Sequence, residues 1–145
     1  MDNIGVLLRA LDNRILRFME KRFRMPDKDM ITGTNSWILL YLFKNANRDV
    51  YQRELEEEFG ITRSTASKVA KLMEQKGLIE RVMDETDARR LVIRLTDTAR
   101  GMALEMGDAR VELNARLLKG FEQEEIDKLN DYMGRMLRNM SEEGE

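Results

Sequence analysis

The run Gln52-Arg-Glu-Leu-Glu-Glu-Glu-Phe59, followed by Gly60-Ile61 and then by Thr62-Arg-Ser-Thr-Ala-Ser-Lys-Val-Ala-Lys-Leu-Met-Glu-Gln-Lys-Gly77, reads as helix, tight turn and helix. Two alternating segments come directly after it, Leu78 to Met83 and Leu91 to Leu95, joined by the charged loop Asp84-Glu-Thr-Asp-Ala-Arg-Arg90. A short helix, a glycine turn, a second helix closed by glycine and a two-stranded ribbon make a helix-turn-helix with a wing. That order predicts a winged helix built to bind DNA.

The second helix of the pair has well-marked limits. Thr62 is placed to accept at its N-cap, and Gly77 to take the left-handed position at its end. Between them Ala66, Val69, Ala70 and Met73 recur at helical spacing, while Ser64, Ser67, Lys68, Lys71 and Gln75 fall on the opposite side. The free side is small and polar at its start and basic further on. Ser64, Thr65 and Ser67 suit base edges or phosphates, and Arg63, Lys68 and Lys71 suit phosphates, with no acid between Arg63 and Met73. An ordinary amphipathic helix with a solvated polar face would look much the same, so the ribbon carries the decision.

Leu78-Ile-Glu-Arg-Val and Leu91-Val-Ile-Arg-Leu have the β-branched, apolar character of paired strands. In the loop, Asp87 stands two residues before Arg89, close enough for its carboxylate to aim the guanidinium outward. A planar arginine on a narrow ribbon suits the negative potential of a minor groove. Arg90 is placed to reach an adjacent phosphate.

Taken together, Leu55-x-x-x-Phe59-Gly-Ile-Thr-Arg-Ser-Thr-Ala-Ser67, Leu72-x-x-x-Lys76-Gly-Leu-Ile-x-Arg81 and Asp87-x-Arg89-x-x-x-Ile93-x-Leu95-Thr96 resemble the MarR family of bacterial transcriptional regulators. All three pieces agree in order and spacing, and the flanking helices fall in the family's places over nearly the whole chain. The resemblance implies a homodimer on a pseudopalindromic operator, usually a repressor relieved by a small molecule. One departure is Ala99, where the family often has glycine; alanine is the better helix former.

Before the motif, Ile4, Leu7, Leu8, Leu11, Ile15, Phe18 and Met19 repeat at three- and four-residue intervals through a first helix. Pro26 should stop it near Arg24 or Met25, with 27–32 as a connection. A second helix is expected from about Asn35 to Asn45, capped by Thr34 or Thr32. Trp37, Ile38, Leu40, Tyr41, Leu42 and Phe43 make it apolar on most sides, which places it centrally. Asn45 to Arg48 is a turn, and Asp49-Val-Tyr51 is expected to add a short third strand to the wing.

After the motif, Thr96 caps a long helix whose stripe runs Ala99, Met102, Ala103, Met106, Val111, Leu113 and Leu117. Gly101 and Gly107 weaken that helix or let another approach closely. A last helix after Gly120 presents Ile126, Leu129, Met133, Met136, Leu137 and Met140 on one face, and the tail from Ser141 should fray. The fold class is therefore mainly α with a small β wing. One domain spans 1–145: residues 33–96 form the winged helix-turn-helix DNA-binding region, and 1–25 and 97–140 are dimerisation helices. The terminal helices carry more apolar surface than so small a domain needs, and a partner chain would cover it. Two recognition helices must then stand about one DNA turn, roughly 34 Å, apart.

With 25 basic and 27 acidic residues the formal net charge is −2, so distribution matters more than the sum. From Arg63 to Arg94 eight basic residues face five acids, whereas from Phe121 onward eight acids face three basic residues. One end attracts phosphate and the other repels it. There are no cysteines and no histidines, which excludes disulfides and thiol sensing and disfavours zinc or copper ligation. No apolar run is long enough to span a membrane, and the start does not resemble a signal peptide, so a cytoplasmic protein with no membrane partner is expected. No cofactor, metal site or catalytic residue is expected either. The carboxylates of 54–58 and 122–127 read as solvated helix faces, with no nucleophile, histidine or phosphate loop nearby.

In the resembled family small aromatic or phenolic compounds bind between the dimerising helices and the winged region. Arg14, Phe18, Trp37 and Tyr41 are the candidates to line such a crevice for a small aromatic or anionic effector. The rival to a regulator bound to its own operator is a winged helix used only for protein contact.

Overall fold

The computed structural model describes residues 3–22 and 33–142. Among them the chain runs α1 (Ile4–Arg22), α2 (Gly33–Lys44), β1 (Val50–Tyr51), α3 (Gln52–Phe59), α4 (Arg63–Gln75), β2 (Ile79–Met83), β3 (Leu91–Leu95), α5 (Asp97–Leu117) and α6 (Gln123–Glu142). The mainly helical fold with a small β wing is the one that the sequence predicts.

Helix α2 is the hub because it has almost no polar side. Ile38, Leu39 and Leu42 are buried in one core with Val50, Leu55, Ala70, Met73, Leu78, Ile79, Ile93, Leu95, Ala99 and Met106. The helix lies against α5 on one side and β3 on another. Every element from α2 to the start of α5 thus contributes to one apolar centre, the term that dominates folding. A smaller cluster of Met19, Ala109 and Leu113, flanked by Ile15, Phe18, Trp37 and Leu117, fastens α1 to α5. An Arg22–Glu112 ion pair joins the same two helices.

The sheet is antiparallel in the order β1-β3-β2. Register pairs Val50 with Ile93, Tyr51 with Val92, and Arg81 with Ile93. The short third strand expected at Asp49 to Tyr51 is therefore present as Val50–Tyr51, on the outer edge of the wing.

Two turns depend on glycine. Gly60 closes α3 at φ 60°, and Gly77 follows α4 at φ 73°, both in the left-handed region that disfavours other residues. At Gly77 the chain end is doubly bonded: the Gly77 amide donates to Glu74 O at 3.0 Å and the Leu78 amide to Met73 O at 3.0 Å. This six-to-one and five-to-two pairing satisfies carbonyls that the helix end would leave open and turns the chain into β2.

Thr96 locks the far side of the unit. Its hydroxyl donates to Gly77 O at 2.7 Å and accepts from the Ala99 amide at 3.2 Å, so one side chain caps α5 and ties it to the turn after α4. Thr96→Ala is expected to lower stability by about 1–2 kcal/mol through the lost cap. The check is a lower urea midpoint with unchanged slope.

Four expectations need correction. Thr34 is not the cap of α2, because the helix already includes Gly33; the alternative cap Thr32, the end of the first helix near Pro26 and the connection 27–32 lie outside the described residues. Of the two readings of Gly101 and Gly107, close approach by another helix of the same chain is not seen among the described residues, since a Cβ built at either meets nothing within 4 Å, which leaves a weakened helix. The α5 stripe is misplaced by two residues at Val111, which is exposed while Ala109 is buried; the small residue is the one facing α1. Ser141 is not frayed, since α6 continues to Glu142 and the Ser141 hydroxyl donates to Leu137 O at 2.9 Å; the rest of that tail, 143–145, lies outside the described residues. No helix among the described residues is long and apolar enough to cross a membrane.

Helix α6 makes at most marginal contact with the other described elements of its own chain. Its face nonetheless carries exposed Tyr132, Met133, Leu137 and Met140, and α1 exposes Ile4, Val6, Leu7, Leu8 and Leu11.

Candidate nucleic-acid interface

Helix α4 presents its polar face because its other face is committed. Ala66, Ala70 and Met73 are buried, which turns Arg63, Ser64, Thr65, Ser67, Lys68 and Lys71 outward, all exposed. The start of the helix is fixed by Thr62, whose hydroxyl accepts from the Thr65 amide at 3.1 Å and donates to Thr65 Oγ1 at 3.0 Å. Thr65 is thus partly engaged by the cap, which sequence spacing did not reveal. Arg63, Ser64 and Ser67 remain the polar groups of the first turns aimed at solvent.

The helix and the ribbon are held as one piece. Glu74 near the end of α4 pairs with Arg81 on β2 at 3.2 Å and accepts from the Arg81 amide at 3.3 Å. Hydrogen bonding from Arg81 holds the Glu74 carboxyl below its ordinary range. The signal was present in the sequence: an acid and a base seven residues apart across a tight helix-to-strand turn.

At the wing tip Asp87 Oδ1 accepts from both the Arg89 amide at 3.0 Å and Arg89 Nε at 3.2 Å. The carboxylate therefore fixes the root of the guanidinium, while the side chain as a whole is 92% exposed. This is the outward-aimed arginine that the spacing suggested. Arg90 behaves differently. Its guanidinium lies 2.8 Å from Asp84 Oδ2 and 4.6 Å from the centre of the Tyr51 ring. Partial burial works against ionisation of Asp84, but hydrogen bonds from Thr86 together with the nearby Arg90 hold its carboxyl below the usual range.

A second network stands behind α3. Glu54 accepts from Arg48 at 2.8 and 2.9 Å, from the Tyr51 amide at 3.1 Å and from the Tyr41 hydroxyl at 3.1 Å. The Arg48 hydrogen bonds hold the Glu54 carboxyl low, whereas burial and the Glu54 charge push the Tyr41 hydroxyl up. The first helix of the motif is thereby clamped to α2 and β1.

The four residues expected to line an effector crevice are not brought together. Phe18 and Trp37 share the small cluster between α1 and α5. Tyr41, one turn along α2 from Trp37, packs edge-on against Phe59 instead, with ring centres 5.8 Å apart. Arg14 turns back on its own helix, donating to Ala10 O at 3.5 Å. The cation over Phe18 is Arg116 of α5, 5.3 Å from the ring centre. Helical spacing within α1 could not foresee a cation arriving from a distant helix.

A protein-family model described as MarR family matches residues 31–90. Beyond that segment, the transcription regulator MarR from Oenococcus oeni PSU-1 is similar over almost the full length, at 30% identity with 94% of this chain and 99% of that one covered and a TM-score of 0.78. The chain belongs to the MarR family. Its MarR fold, helices at both ends included, also matches S. aureus MepR in a DNA complex, at 21% identity, 96% and 99% coverage and a TM-score of 0.80. A third MarR-like match is the heme sensor protein PefR from Streptococcus agalactiae in complex with heme, at 24% identity, 97% and 95% coverage and a TM-score of 0.61. The winged helix-turn-helix and the MarR resemblance read from residues 52–96 are thus borne out.

Proposed function

We propose that this protein is a sequence-specific DNA-binding transcriptional regulator, working as a homodimer on a pseudopalindromic operator as a repressor that a small-molecule ligand releases. The observation that carries the reading is Arg89: a side chain 92% exposed, rooted by Asp87, on a ribbon bridged to a helix whose outward face is serine, threonine, arginine and lysine. In this reading Ser64, Thr65 and Ser67 meet base edges or phosphates, Arg63, Lys68 and Lys71 neutralise phosphates, and Arg89 enters the minor groove. Family membership supports the regulator and repressor roles, and the exposed apolar faces of α1 and α6 support the dimer. A small aromatic or anionic effector seated near Phe18 and Trp37, between α1, α2 and α5, would act by changing the separation of the two recognition helices.

Selection of bound fragments from random duplex DNA tests this directly, and a two-fold symmetric consensus is the expected result. On that duplex Arg89→Ala should cost about 1–3 kcal/mol and relax specificity at the bases beneath the wing. Lys68→Glu should weaken binding across all sequences, with a shallower salt dependence. If the dimer prefers no duplex over random competitor, the winged helix is a protein-contact module instead.

A further inference from the structure

Arg89 and Arg90 are neighbours in sequence but not in circumstance. The Arg90 side chain is half exposed, against 92% exposure for that of Arg89, and three groups surround its guanidinium. Asp84 Oδ2 is 2.8 Å away, Asp87 Oδ2 is 4.0 Å away, and the Tyr51 ring lies beneath its central carbon at 4.6 Å, inside the range for a cation–π contact. Its backbone closes the same loop: the Asp84 amide donates to Arg90 O at 3.0 Å, and the Arg90 amide donates to Asp87 O at 3.0 Å.

We propose that Arg90 is a positioning residue that latches the wing, acting on DNA only through Arg89. The inference rests on the DNA-binding reading of the wing given above. Two carboxylates and an aromatic face already satisfy this cation, so little of its charge is left for a phosphate. The contacts instead form a chain. Tyr51 belongs to β1, which leads straight into α3; Arg90 stacks on Tyr51; Arg90 and Arg89 approach opposite oxygens of Asp87; and Asp87 roots Arg89. The direction of the wing-tip arginine is thereby referred to the helix-turn-helix rather than to its own loop alone. A lysine could neutralise Asp84, but without a plane it could not stack on the ring while pairing with a carboxylate. The phosphate contact expected of Arg90 from sequence is replaced by this internal role.

The test compares the wild type with Arg90→Ala, Arg90→Lys, Tyr51→Leu and Tyr51→Phe on the duplex selected by the wild type, with Arg89→Ala as reference. Arg90→Ala should weaken specific binding about fivefold, the scale of one solvent-exposed cation–π contact, while leaving the slope of log affinity against log salt unchanged. Tyr51→Leu should reproduce that loss, Arg90→Lys should rescue little of it, Tyr51→Phe should keep wild-type affinity, and Arg90→Ala combined with Tyr51→Leu should be no worse than either alone. A slope reduced by about one unit in Arg90→Ala would mean a lost phosphate contact and overturn the latch. So would wild-type affinity in Tyr51→Leu. Hydrogen exchange in the DNA-free protein provides a readout independent of operator binding. The Asp84 and Arg90 amides should exchange about fivefold faster in Arg90→Ala and Tyr51→Leu but not in Tyr51→Phe. Unchanged exchange in the first two would refute the latch even if the wild type bound no duplex, whereas faster exchange without any preferred duplex would refute only the DNA reading.

Discussion

Leu137→Glu should convert the protein to a monomer and lower its affinity for a two-fold symmetric duplex by about 10²- to 10⁴-fold, the range by which two linked binding modules exceed one. Leu137 is 64% exposed on α6, a helix with at most marginal contact to its own chain. A charge there has little to disturb within one copy, so the fold should survive while the shared face is spoiled. Burying an unpaired carboxylate against apolar side chains is strongly unfavourable, and two-fold symmetry would place the change in the interface twice. Sedimentation and circular dichroism check the two halves of the expectation, loss of the dimer and retention of the helices. A Leu137→Glu protein that remains dimeric and binds DNA as before would place the interface elsewhere.

Leu39→Ala should destabilise the protein by about 2–5 kcal/mol, the usual range for emptying a leucine site in a core. Leu39 is 0% exposed, on the hub helix between α5 and β3. Rigid neighbours on both sides limit collapse of the cavity, which favours the upper part of that range. The measurement is the urea midpoint at matched protomer concentration, because assembly adds to apparent stability. A change under about 1 kcal/mol would mean that the core can close over the gap.

The parts of the fold legible in the sequence are those set by local chemistry. Thr62, Gly60, Gly77 and Thr96 each satisfy a backbone requirement that few residues can meet, so residue type and spacing alone mark the element ends there. The Asp87–Arg89 pair is equally local, two residues apart in one loop. What the sequence left less legible depended on distant groups. Arg14 belongs beside Phe18 by helical spacing, yet the cation that arrives is Arg116, from a helix nearly a hundred residues later. Arg90 has the look of a second phosphate ligand, but the register of β1 against β3 brings Tyr51 beneath it. Tyr41 has the look of a pocket wall because α2 is apolar nearly all round, and only packing decides which side faces Phe59.

The last helix holds one more implication. Isolated helices in water are marginal, and most of their stability comes from docking an apolar face against something else. The twenty residues of α6 find almost nothing to dock against among the described residues of their own copy. A freshly synthesised chain would therefore carry a loosely wound arm until it meets a second one, and that arm is where a protease would cut first. Degradation would then fall hardest on the scarce, solitary copies, sharpening the threshold between too little regulator and enough.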